Sequence, residues 1–389
     1  MRFSHPDGST VHLAYCTNVH PAETLDGVLA QLAGYCEPVR RRLGTERLGI
    51  GLWLARDAVR DLGADPAALR RLRTELDRLG LEVVTLNGFP YQGFGAQQVK
   101  YRVYRPDWTE PQRLEYTSDL ARLLAQLLPP DVTEGTVSTL PLAWRTGFDE
   151  AAAAAAHTAL TELTRRLDLL EWETGRSIRV AVEPEPGCVI ETTTDALAPL
   201  GALPGHRIGL CLDTCHLATS FEEPSAALAD LERAGVEVVK VQLSAALHAG
   251  DPRDPAVRSA LAAFDEPRFL HQTRTRTDGM LHGTDDLGQA LAPGALPDNA
   301  PWRAHFHVPL HAPPAPPLAS TLDVLGETLA QLVGGTTARS RHFEVETYTW
   351  QALPAAARPT TDAQLADGIA AELSLVRDLL TGLGLKEQL

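Results

Sequence analysis

Residues 178–186 read IRVAVEPEP, and residues 208–216 read IGLCLDTCH. In the first stretch Ile178, Val180 and Val182 share one face, while Arg179, Ala181, Glu183 and Glu185 share the other. In the second, Ile208, Leu210 and Leu212 oppose Gly209, Cys211 and Asp213. Side chains alternate across a strand. The aliphatic faces therefore predict contact with helices, and the small or polar faces predict the lumen of a closed sheet. Both strands then deliver their late polar residues to the same rim, where barrel enzymes keep their active sites.

The same pattern extends along the chain. Strand candidates are 11–18, 48–55, 82–88, 135–142, 178–184, 207–213, 236–244, 302–309 and 342–348, separated by helical stretches such as 22–42, 64–79, 110–128, 149–174, 223–234, 320–333 and 361–383. Strand–helix–strand repeats of this spacing imply a parallel sheet covered by helices. No glycine-rich phosphate fingerprint follows the first strand, which favours a closed TIM (β/α)8 barrel over an open dinucleotide-binding sheet. Nine candidates compete for eight barrel places, so one belongs to an added or irregular segment. The chain reads as a single barrel domain over 1–389, with an insertion at 245–301.

Bulk properties narrow the function. A net charge of −15 argues against a general nucleic-acid binder. The five cysteines (Cys16, Cys36, Cys188, Cys211, Cys215) are scattered without a CxxC pair, as reduced thiols in a cytoplasmic protein would be. No apolar run reaches the roughly 18 residues of a spanning helix, and the N-terminus lacks the apolar core of a signal peptide.

Residue types that carry chemistry gather at the strand ends. Asp213 and His216 put a carboxylate and an imidazole at the barrel mouth, although Asp213 equally suits a helix cap and His216 a satisfied core position. Glu183 is aimed into the lumen by its parity, and a buried carboxylate needs a cation or donors. Glu185 reads more simply as an exposed loop acid. Glu344 and Glu346 close the last strand. Arg303, His305 and His307 share a face, and two imidazoles there favour a ligand role. Asn87 opens a loop, 87–94, that fits closure over a ligand. Lys240 and Gln242 face the lumen, to contact substrate or to neutralise carboxylates. Mixed oxygen and nitrogen donors suit a divalent metal (Mn, Mg, Co, Fe or Zn) without choosing among them.

The segments IGLCLDTCH (208–216), the glutamate after 178–182 and VET (345–347) resemble the last strands of the xylose isomerase-like superfamily, which includes sugar isomerases, ketose epimerases and endonuclease IV-type enzymes. More narrowly, YCTNVHP (15–21), TLNGFPYQGF (85–94), VKYRVYRPDW (99–108), STLPL (138–142), EPEPGC (183–188), CLDTCH (211–216), KVQLSAAL (240–247), HFHVP (305–309) and EVETYTWQALP (344–354) resemble EboE, a family of metabolite traffic proteins of the Ebo cluster. The superfamily resemblance implies one divalent metal on Glu183, Asp213 and Glu346, with Glu183 and Glu346 also moving the proton. The histidine that usually completes the set is replaced by Gln242. His307 is the favoured fourth ligand, with Gln242, His216, Arg303, Asn87 and Lys240 facing substrate; Gln242 as the ligand is the alternative. Asn87 and Thr139 or Leu140 stand where the endonuclease type has histidines, which weighs against a repair nuclease.

Three functions stand as expectations. The first is a metal-dependent isomerase or epimerase of a small polyhydroxylated, sugar- or cyclitol-like metabolite, with other Ebo-pathway proteins as partners. The second is a non-catalytic metabolite escort. The third is a metal-dependent hydrolase or lyase.

Overall fold

A computed structural model describes residues 1–388. Eight parallel strands run round a ring: β1 (Thr10–Cys16), β2 (Leu48–Trp53), β3 (Leu81–Asn87), β4 (Glu134–Thr139), β5 (Ser177–Val182), β6 (Ile208–Asp213), β7 (Val238–Leu243) and β8 (His342–Val345). β8 pairs with β7, and it closes the ring by pairing His342 to Val345 with His12 to Tyr15 of β1. This is the expected TIM barrel. A short strand, Arg2–Ser4, lies antiparallel to β1 outside the ring.

The covering helices have local causes. Asp65 caps the helix Pro66–Leu79 by accepting from the Ala67 amide, and Pro66 fits the first turn. Leu69, Leu72, Leu76 and Leu79 repeat at three- and four-residue spacing and bury one stripe against the strands. Gly80 ends this helix at φ +67, a conformation that costs a residue with a Cβ.

Inside the ring, small and long side chains complement each other. A Cβ at Gly51 would lie 2.0 Å from Glu344 Oε2, so the glycine on β2 makes the space that the β8 glutamate fills. Lys240 from β7 enters the same layer and places Nζ 3.0 Å from Glu344 Oε2.

Between β7 and β8 lies a second, antiparallel sheet. Its strands are Leu247–Ala249, Thr273–Thr277, Met280–Thr284, Trp302–Ala304 and Ala319–Ser320. The candidate strand 302–309 therefore has no place in the barrel. Only Trp302–Ala304 is strand, paired antiparallel with 247–249 and 273–274. After Ala304 the chain turns, Phe306 N donating to Ala304 O (2.8 Å), and the irregular segment beyond it crosses the barrel mouth.

Candidate metal centre

Three carboxylates meet at the carboxyl end of the ring. Asp213 ends β6. Glu183 and Glu346 each sit one residue past a strand, held by the Glu183 amide on Thr139 O (3.0 Å) and the Glu346 amide on Leu243 O (3.1 Å). One oxygen from each of the three lies within 4.8 Å of the others, and all three residues are buried. Asp213 Oδ1 accepts from the His216 amide and from Ser244 Oγ, both at 2.8 Å, while Oδ2 has no partner. Glu346 Oε1 accepts from Asn18 Nδ2 (2.6 Å) and Asn87 Nδ2 (2.9 Å). Glu183 Oε2 has no partner. The neighbouring groups thus hold each acid by one oxygen or by the backbone and leave an oxygen of Glu183 and of Asp213 without a partner.

Burial is the main force on their protonation, and mutual repulsion adds to it. Glu183 is pushed well above the usual carboxylate range by burial, then by Glu346 and Asp213. Glu346 is pushed to about 8 by burial, then by Asp213 and Glu344. Close like charges in a dry pocket cannot all ionise unless a cation joins them.

Beside this triad stand three imidazoles. His216 Nδ1 lies 2.7 Å from Pro184 O, and His307 Nδ1 lies 2.6 Å from Glu346 O. A carbonyl only accepts, so both Nδ1 atoms carry the proton. His305 Nδ1 lies 2.8 Å from Gln272 Oε1, and the amide is oriented by Gln272 Nε2 donating to Pro186 O (2.8 Å). All three rings therefore turn Nε2 toward one another. His216 and His305 Nε2 are 3.0 Å apart, and His305 and His307 Nε2 are 3.2 Å apart. Nitrogen lone pairs this close need a proton or a metal between them, and ligating histidines are fixed by just such outer hydrogen bonds. Glu185 Oε2 is 3.2 Å from His216 Nε2, so Glu185, His216 and His305 form a second ligand group. Burial opposes a proton on His216, but Asp213 and Glu185 outweigh it and raise its pKa. His305 is driven well below the usual histidine range by burial and by the other imidazoles, and burial takes His307 to about 4.

The family described as xylose isomerase-like TIM barrel matches residues 46–272. The chain belongs to that family.

Solved xylose isomerase-like barrels of similar architecture include a protein from Mycobacterium smegmatis in complex with magnesium (14% identity, 95% of this chain, 98% of that chain, TM-score 0.52). A D-psicose 3-epimerase solved in the presence of D-fructose matches at 13% identity over 95% of this chain and 99% of its own, with TM-score 0.50. An L-ribulose 3-epimerase matches at 12% identity over 96% and 95%, also with TM-score 0.50. No curated protein matches the sequence significantly. At these identities the likeness is one of fold.

Of the residues singled out from the sequence, this xylose isomerase-like barrel gathers Glu183, Asp213, Glu346, His216, His307 and Asn87. His307 reaches the triad through Asp213, Nε2 lying 3.9 Å from Oδ2. Three others lie elsewhere. Arg303 is turned away, its guanidinium donating to Ala218 O (2.8 Å) and stacking on the Phe221 ring at 4.4 Å. Lys240 lies beneath the site, reaching Leu86 O, Ser138 Oγ and Glu344. Gln242 is buried between Asp213 and Glu344 in register, with neither amide atom partnered.

The sequence reading missed Glu185 and Gln272 as members of the site. The Pro184–Pro186 frame around Glu185 was a usable signal, whereas nothing local marks Gln272. Asn18, just past the end of β1, also belongs to the site, since it holds Glu346.

Proposed function

We propose that this chain is a metal-dependent isomerase or epimerase acting on a small hydroxylated metabolite. The observation that carries this reading is the buried Glu183–Asp213–Glu346 triad, one oxygen of each within 4.8 Å of the others, with an unpartnered oxygen on Glu183 and on Asp213. The donor set fits a divalent ion: hard carboxylate oxygens, with His307 as an adjoining nitrogen. Such an ion polarises a carbonyl or hydroxyl and raises the acidity of the adjacent C–H. Glu183 and Glu346, whose carboxyls are held well above their ordinary range, are suited to take and return a proton. Asn18 and Asn87 hold Glu346 by one oxygen and leave the other for substrate. His216 borders the same space.

The resemblance of these segments to EboE proteins supports a place in an Ebo-type synthesis or traffic pathway, with other proteins of that pathway as partners. The cysteines, all buried and unpaired, support a cytoplasmic setting. Among the described residues no helix is long and apolar enough to cross a membrane. The barrel with the segment between β7 and β8 is best treated as one domain.

A hydrolase or lyase is the second reading, and the group Glu185–His216–His305 favours it. Two adjacent ions are a recurring arrangement for activating water against a polarised centre.

The test is metal content and metal-dependent melting of purified protein, together with Glu183→Gln and Glu346→Gln. Stoichiometric metal, a higher Tm with metal, and variants that bind ligand but turn nothing over support the isomerase reading. Protein that holds no divalent ion and gains no stability from one sinks it. Variants that retain full function point to an escort, and solvent oxygen in the product points to a hydrolase.

A further inference from the structure

The cavity that the ligand groups line holds about 60 Å³, room for only a few waters. What closes it is aromatic. Phe94 from the loop after β3, Phe269 from the segment between β7 and β8, and Tyr348 after β8 meet ring to ring, with centroids 5.4, 5.6 and 4.9 Å apart. Three segments distant in sequence have converged on one aromatic collar over a polar floor, its single polar atom being Tyr348 OH. Phe94 is buried although Gln92, Gly93 and Gly95 around it are exposed, and Gly93 adopts φ +73. A buried ring on an exposed, glycine-flanked loop can withdraw without unfolding the barrel.

The outer wall, with Phe89, Val99 and Val103 among its lining residues, offers almost nothing to a hydroxyl. Tyr104 OH is engaged by Glu185 (2.8 Å) and Gln272 (2.8 Å). The one lysine on the wall, Lys100, is paired with Asp286. Arginine is absent from the lining among the described residues, and Glu183, Glu185 and Glu346 face inward. A phosphate at the outer wall would meet no unpaired side-chain cation. The collar's one polar atom, Tyr348 OH, lies 3.4 Å from His305 Nε2, so a group with several hydroxyls there would lose more water contacts than it gains.

The geometry points to a bipartite ligand: adjacent oxygens at one end chelate the metal, and an uncharged, flat apolar group at the other displaces or stacks within the Phe94–Phe269–Tyr348 collar. This rests on the metal reading and deepens it, confining the hydroxylated part of the substrate to its inner end. Phosphorylated and fully hydroxylated sugars fall outside the class.

Hydroxamates test this, because all of them chelate a metal through the same two oxygens and differ only in the group attached to the carbonyl carbon. Acetohydroxamate, D-threonohydroxamate and benzohydroxamate are titrated into the Mn²⁺-loaded full chain and into metal-free protein. Benzohydroxamate is expected to bind at least about tenfold more tightly than either of the others. Phe269→Ala and Phe94→Ala are expected to weaken benzohydroxamate at least fivefold and acetohydroxamate less than twofold. Affinities within threefold of one another in the wild-type chain, or tightest binding by the polyol, overturn the proposal even if neither variant folds. No metal-dependent binding of any hydroxamate removes the metal reading itself, and the bipartite ligand with it.

Discussion

Lys240 Nζ lies 3.0 Å from Glu344 Oε2, and both side chains are fully buried in the barrel beneath the candidate metal centre. Burial alone would strip the proton from Lys240, but Glu344, helped by Cys211 and Cys16, raises the lysine's pKa. The contact is a close ion pair rather than an aligned hydrogen bond, since neither Glu344 oxygen has a hydrogen-bond partner. Removing one partner leaves a buried charge alone, so Lys240→Met is expected to cost about 3–5 kcal/mol in urea unfolding. The double variant Lys240→Met/Glu344→Leu is expected to recover most of that loss. A single variant as stable as the parent would show that the pair does not compensate buried charge.

Glu346 titrates near pH 8 in the folded chain because of burial and of Asp213 and Glu344, against 4.5 for a free glutamate. Between these values the folded protein keeps a proton that the unfolded chain has released. Stability of the metal-free protein is therefore greatest below the unfolded pKa and falls as pH rises toward 8. A divalent ion must displace that proton. Apparent metal affinity is expected to rise by at least about tenfold per pH unit between roughly pH 6 and 8, with proton release visible by calorimetry in buffers of different ionisation enthalpy. Affinity that is flat over this range rules out displacement of a carboxyl proton.

The eight barrel strands were legible because a buried ring imposes a two-residue alternation on each of them. The same rule failed at 302–309, where Trp302, Ala304, Phe306 and Val308 alternate with Arg303, His305 and His307 as if along one strand. The chain leaves strand geometry after Ala304, where the Phe306 amide turns back onto Ala304 O (2.8 Å), a contact with no local signature. The His305 amide still bonds to Gln272 O (2.8 Å) as the next step of the antiparallel register. The hairpin Thr273–Thr284 did carry a signal: Asp278 and Gly279 both take positive φ at its turn, the Asp-Gly pattern of a tight hairpin. Glu185 read as an exposed acid because sequence cannot show that its loop folds back, the Glu185 amide bonding to Ile190 O and the Cys188 amide to Glu185 O, both at 3.0 Å.

Glu372, on the helix Asp362–Gly382, ties down the segments that carry two of the ligands. It accepts from the Leu310 amide (2.9 Å), Thr347 Oγ1 (2.6 Å) and Trp350 Nε1 (3.3 Å). Thr347 follows Glu346, and Leu310 lies three residues after His307. Burial lifts the Glu372 carboxyl to about 7. Glu372→Ala leaves three buried donors unsatisfied, and is expected to cost about 2–4 kcal/mol and to weaken metal binding several-fold. Glu372→Gln keeps an acceptor and is expected to retain most of both. Unfolding curves and metal titrations check this, and an alanine variant with unchanged metal affinity would restrict Glu372 to stability alone.

The imidazole group gives the test that separates the two enzymatic readings. If the triad of Glu183, Asp213 and Glu346 is the working site, the wild-type chain is expected to hold about one tight divalent ion. His305→Ala should then leave that count unchanged, because His305 belongs to no ligand group that includes those acids. Asp213→Asn should abolish tight binding, since Asp213 Oδ2 has no other partner. Atomic-emission analysis after equilibrium dialysis reads all three. About two ions in the wild type, falling to one in His305→Ala, would instead assign an ion to Glu185, His216 and His305 and move the balance to hydrolysis, where a second cation has work to do on water.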